Sequence, residues 1–235
     1  MATARRKPWL TTLLFSVLLP GPAWGRALDA SPFPRPQLEH SLQRLAPGAN
    51  RRVLALAAGA LSCAARDARR LAVIDYSLPS TQPRLWVFDL VNDKLLFKEL
   101  VSHGRGSGDT RAKRFSNVPE SHQSSLGLFR TLGPYQGRNG YSLRLQGLEP
   151  GINDRAYERA IVIHGADYVS EDFIARTGRL GRSHGCPAVR RGVIRPLIDS
   201  ISNHQYLFIY YPDPQWLQRS AFLNCKGTTA PVARN

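Results

Sequence analysis

From Leu71 onward the chain is cut into short apolar runs by turn-forming residues, a spacing that suits strands and leaves little room for long helices. LAVIDY (71–76), RLWVFDL (84–90), KLLFKELV (94–101), SLGLFRT (125–131), YSLRLQ (141–146), RAIVIH (159–164) and QYLFIYY (205–211) are the strand candidates. Val91-Asn92-Asp93 between the second and third predicts a hairpin. Helices are few in this stretch. Ser170 caps a short one, with Glu171 and Asp172 in its first turn and Gly178 past its end, and a longer one is expected from Pro187 to about Ser202. The result is a mostly-β domain over 71–212, followed by a tail over 213–235.

Before Leu71 the pattern is different. Residues 1–25 carry Arg5, Arg6 and Lys7, then an apolar stretch from Trp9 to Leu19, then Pro20-Gly21-Pro22 and the small-residue spacing of Ala23-Trp24-Gly25. That order is the signature of a secretory signal peptide. The apolar stretch is too short to cross a bilayer, which takes about 20 residues, so no membrane span is expected once it is removed. Residues 26–70 read as a proline-rich arm (26–36) and a helical segment. Its first helix is marked by Leu38, Leu42 and Leu45; its second, from Arg51 to Arg70, by the stripe from Val53 to Ala68.

The chain has 32 Lys and Arg against 17 Asp and Glu, a net charge of +15 that falls to +12 without the signal segment. A basic, exported protein seeks an anionic partner outside the cytoplasm. Nucleic acid is a poor fit, since no helix-turn-helix, zinc or RNA-binding motif is present. Three cysteines without a C-x-x-C pair exclude a zinc ribbon or a dense disulfide scaffold. Cys63 and Cys225 either pair in an oxidising compartment, tying the helical segment to the tail, or stay as free thiols; both are open.

The third cysteine carries the chemistry. Cys186 precedes Pro187, a residue favoured at the first position of a helix, which places Cys186 at an N-cap where thiolate is stabilised over thiol. His164 ends a strand and is the candidate base. Gly185 allows close backbone approach, and the N–H groups of Gly185 and Cys186 are candidates for an oxyanion hole. His184 is placed to orient substrate or support the site, and Ser183 to donate a hydrogen bond. The H-x-C spacing of His184 and Cys186 fits no common zinc site, so no metal is expected. GRGSG (104–108) lacks the helix and the Gly-Lys-Ser/Thr of a phosphate loop and reads as a loop beside a cleft. His122 and Ser124-Ser125 read either as cleft wall or as plain polar loop.

His164-Gly165, with eighteen residues (165–182) between His164 and Ser183, then Ser183-His184-Gly185-Cys186, resembles the signature of the L,D-transpeptidase catalytic domain, the YkuD-like family. FSNVPESHQSSLGLF, GYSLRL, RAIVIHGADYVS and GRSHGCPAV resemble its murein L,D-transpeptidase branch, over about 71–212. The resemblance implies a YkuD-like β-sandwich with a cysteine nucleophile, no cofactor, and peptidoglycan stem peptides as substrate in the periplasm or elsewhere outside the cytoplasm. It implies attack by Cys186 on the third residue of a tetrapeptide stem, with His164 as base, the Gly165 carbonyl orienting it, and D-alanine released. The thioester then passes to a stem amine, to a protein lysine (a protein anchored to the wall as partner) or to water. Where members often carry an aliphatic residue and then Arg or Asn after the cysteine, this chain has Pro187-Ala188, and Arg190 or Arg191 is the candidate replacement. Three alternatives stand beside this reading. One is an L,D-carboxypeptidase. Another is a different cysteine peptidase of the wall, disfavoured because only His204 follows Cys186. The third is a non-catalytic peptidoglycan-binding protein.

Overall fold

The computed structural model describes Met1, residues 34–64 and residues 68–225. The expected signal segment lies outside the described residues. The first helix, α1 (Arg35–Leu45), begins inside the expected extended arm: Pro36 lies in its first turn, where a missing N–H costs nothing. Leu38 and Leu42 are buried from it, and Ser41 and Arg44 both bind Asp93 in a distant turn. The second helix, α2 (Arg51–Ala64), buries the small stripe Val53, Leu54, Ala57, Ala58, Ala60 and Leu61. It stops short of the expected Arg70, and the first strand takes Arg70 instead. Both helices share one core with the sheet.

The strands are β1 (Arg70–Asp75), β2 (Leu85–Asp89), β3 (Lys94–Glu99), β4 (Gly127–Gly137), β5 (Gly140–Gly147), β6 (Val162–Gly165), β7 (Ala188–Val189) and β8 (Tyr206–Tyr210). They form one mixed sheet in the order β3-β2-β1-β8-β4-β5-β6-β7. Only β1–β8 and β6–β7 are parallel. Ser102, just past β3, bridges Ala188 of β7, so the two ends of the strand order meet and the sheet is nearly closed. The mostly-β expectation holds. β4 runs past the expected end at Thr131 because the β4–β5 register shifts between Thr131 and Pro134, and an irregularity is where a proline is tolerated in a sheet.

Three further helices follow among the described residues. α3 (Glu171–Thr177) has the expected cap, with Ser170 Oγ accepting from the Phe173 N–H at 3.2 Å and Gly178 left-handed at φ 74°. α4 (Arg191–Ile201) buries Val193, Leu197, Ile198 and Ile201 along one face and packs on β1, β4, β5 and β6. Its start corrects the sequence reading: Pro187 opens no helix. Residues 188–189 are instead a strand paired with His164-Gly165, and the helix waits until Arg191. α5 (Pro214–Arg219), in the expected tail, is capped by Asp213 and buries Trp216, whose Nε1–H donates to Glu149 Oε2. Next to it Cys225 forms a disulfide with Cys63 at the end of α2, with Cα atoms 6.4 Å apart.

Candidate active site

Cys186 lies one residue before Pro187 on the approach to β7, in parallel register with β6. That register sets His164 opposite Ala188, and the His164 N–H donates to the Pro187 carbonyl at 3.3 Å. One step down β6, the Val162 N–H points to the Cys186 Sγ at 3.5 Å, and the thiol donates to the Ala160 carbonyl at 3.7 Å. Ala160 reaches that position in the left-handed region, at φ 53°, a conformation costly for a residue with a Cβ. A strand pair and one strained turn therefore hold the sulfur, in place of a helix N-terminus.

The electrostatics change accordingly. Burial pushes the Cys186 thiol up, opposed by the N–H groups of Val162 and of Cys186 itself and by the Arg159 guanidinium. Burial also pushes His164 down; its bond to Gly165 works the other way, and the Arg191 charge lowers it further. Both shifts favour the uncharged forms, and Cys186 does not sit at the helix N-cap from which a stabilised thiolate was expected. His164 Nδ1 lies 3.1 Å from the Gly165 carbonyl, an acceptor only, so Nδ1 carries a proton, and in the neutral ring the lone pair is left on Nε2. That is the tautomer a general base requires.

The other expected residues fall into place unevenly. Ser183 Oγ accepts from the Gly185 N–H at 3.0 Å and donates to the Cys186 carbonyl at 2.6 Å, bracing the turn. The Gly185 N–H is thereby engaged, leaving that of Cys186 as the remaining donor of the two expected. Gly185 sits at φ 127°, and a Cβ there would meet the Gln123 carbonyl at 2.9 Å. His184 is exposed, its ring 4.6 Å from that of His122. Of the two candidate replacements, Arg190 makes a two-point pair with Glu99 and Arg191 binds Asp167.

Of the residues that support this turn from behind, the sequence marks Ser124 and GRGSG only as cleft wall or loop, and does not single out Arg84, His103 or Arg159 at all. Ser124 Oγ accepts from the Gly104 N–H at 3.0 Å and donates to the Gly185 carbonyl at 2.9 Å. Gly104 packs against Gly185 so closely that a Cβ there would collide with the His122 carbonyl. GRGSG is therefore a backbone platform under the cysteine. Arg84, fully buried, donates to the carbonyls of Leu78 and Val101 and to His103 Nδ1, and stacks over the Tyr76 ring at 4.9 Å. Burial lowers its pKa to about 10, and burial beside that cation brings His103 down to about 3, so His103 stays neutral. His103 in turn accepts the Ser183 N–H at its carbonyl, at 3.0 Å. Arg159 ties down the opposite loop through the carbonyls of Ser116 and Gln123 and the hydroxyl of Ser125.

Fold and site together define a mostly-β protein with a half-buried cysteine just before β7 and a buried histidine on the adjacent strand β6. The chain belongs to the L,D-transpeptidase catalytic domain family, whose model matches residues 45–210. Among solved structures it is similar to the L,D-transpeptidase of Mycobacterium smegmatis (14% identity, 61% of this chain and 59% of that one, TM-score 0.39). It is similar also to the L,D-transpeptidase of Stackebrandtia nassauensis (14%, 76% and 78%, 0.38). A third is the helical cell shape determining protein of Campylobacter jejuni (11%, 61% and 48%, 0.39). The chain thus spans about three fifths of the mycobacterial structure. No curated protein matches it. Among the described residues no helix is long and apolar enough to cross a membrane.

Proposed function

We propose that this protein is an exported L,D-transpeptidase that cuts and rejoins peptidoglycan stem peptides through a Cys186 thioester. The observation that carries the reading is the placement of the Cys186 thiol, between the Val162 N–H and the Ala160 carbonyl, one register step from an imidazole tied at Nδ1 by Gly165. Family membership supplies the reaction class. The Cys63–Cys225 disulfide suits an oxidising, extracytoplasmic compartment such as the periplasm.

Burial favours the uncharged thiol and imidazole, so proton transfer accompanies attack. As sulfur attacks the carbonyl of the third stem residue, His164 Nε2 takes the thiol proton; a C–S bond forms and the carbonyl oxygen becomes an oxyanion. The Cys186 N–H is the donor left for that oxyanion. Collapse breaks the peptide bond, and His164 returns the proton to the departing amine of D-alanine. An acceptor amine then attacks the thioester, giving its proton to His164, and the thiol is regenerated.

Incubation of the purified protein with a disaccharide-tetrapeptide is expected to release D-alanine and form a linked dimer. Both should vanish in Cys186→Ala. Release that survives this substitution would sink the mechanism, and release without dimer would make the protein a carboxypeptidase.

A further inference from the structure

A cavity of about 270 Å³ opens beside the thiol, lined by Tyr135, Arg144, Tyr157, Ala160, Ile161 and Val162. Two of those residues are the ones that hold the sulfur: the Ala160 carbonyl and the Val162 N–H. Its volume is below the roughly 300–1,000 Å³ of whole-ligand pockets, so it fits one end of a ligand. Arg144 lies opposite Val162 in the β5–β6 register, the residue whose N–H reaches the Cys186 sulfur. Its guanidinium lies over the Tyr135 ring at 4.0 Å, and among the described residues no carboxylate pairs with it. Tyr157, across the cavity, is 58% exposed, an aromatic left uncovered at the mouth.

A guanidinium seated over a ring keeps N–H groups that can meet a carboxylate at two points. We infer that Arg144 is a specificity-determining residue that takes a carboxylate of the acyl-donor peptide, with Tyr135 fixing the guanidinium and Tyr157 covering the peptide. The inference rests on the stem-peptide reading of the site. A stem peptide offers two such groups near the scissile bond: the terminal carboxylate of the departing residue, and a free side-chain carboxylate on a diamino acid whose carbonyl is attacked. A second cavity, of about 710 Å³ around Asp109, Arg111, Lys113 and Arg114, is basic too. No residue lining it touches the sulfur, so it serves as the control.

Binding is measured by calorimetry on the full chain carrying Cys186→Ala, so that the tetrapeptide stays intact. Adding Arg144→Gln is expected to weaken binding at least tenfold, Arg144→Lys less, and Arg111→Gln not at all, with thermal midpoints unchanged. Repeating the titration with the peptide amidated at its terminus, or at its side-chain carboxylate, identifies the source. The amide that abolishes the difference between the Arg144 protein and its Arg144→Gln variant marks the group that Arg144 holds. Equal affinity with and without Arg144, or no binding by the parent, overturns the inference. Cysteine-dependent D-alanine release with an Arg144-independent KM rejects this subsite and leaves the reaction standing. Arg144-dependent binding without any release rejects the reaction and leaves the subsite.

Discussion

Two arginines, on either side of the Ser183–Cys186 turn, show how the same side chain takes opposite roles. Arg84 is fully buried, and three of its nitrogens find carbonyl or imidazole partners, because a charge withdrawn from water must be satisfied by the protein. Arg144 is half-buried, rests on one ring and keeps its N–H groups for whatever enters the cavity. The first fixes the segment through Val101 and His103, whose backbone receives Ser183. The second touches nothing that the fold needs. A cation with every partner inside the protein is structural; one with an aromatic bed and an open edge is built to meet a ligand.

The largest test of this contrast is Arg84→Met. It orphans the carbonyls of Leu78 and Val101 and should lower stability by about 3–5 kcal/mol, read as a shift in urea midpoint. Arg144→Gln should move the same midpoint by less than about 0.5 kcal/mol. Comparable losses in the two variants would erase the distinction. The disulfide comes next. It closes a separation of 162 residues and joins α2 to the segment after α5, so Cys225→Ser should cost about 2–4 kcal/mol while leaving D-alanine release intact at low temperature.

A smaller effect concerns pH. His164 must be neutral to accept the thiol proton, and burial holds it below its ordinary range, so its neutral form persists into mild acid. Activity should therefore fall only as pH drops below about 6.5, the ordinary imidazole value. Because burial raises the thiol, alkylation of the free protein by iodoacetamide should keep rising beyond pH of about 8.5, where a free cysteine is half ionised. An alkylation rate already at its plateau near neutral pH would mean a preformed thiolate–imidazolium pair, and would restore the helix-terminus picture that the structure replaced.

Much of this is legible in the residues. Seven of the runs separated by turn residues form strands, since a period-two or continuous apolar run of that length has few other ways to bury itself. Ser170 and Gly178 mark α3 at both ends because a cap is a local hydrogen bond. A signal for α5 is present too, in the Asp213-Pro214 pair of an N-cap followed by proline, inside what the sequence reading treats as tail. β7 leaves no such trace. Two residues after a proline carry no periodicity, and the fixed φ of proline suits a helix start and an extended strand equally.

What the sequence determined alone is whatever depends on neighbours in the chain: the strand runs, the α3 cap and the family motif. What only the tertiary structure decided depends on residues far apart meeting. The pairing of β7 with β6 sets Cys186 beside Val162 and takes it off a helix terminus, and desolvation then shifts thiol and imidazole toward their uncharged forms. The difference between Arg84 and Arg144 belongs here as well. Burial and partners are properties of the folded surroundings, and two arginines in strand-like runs look alike until the sheet closes around one of them.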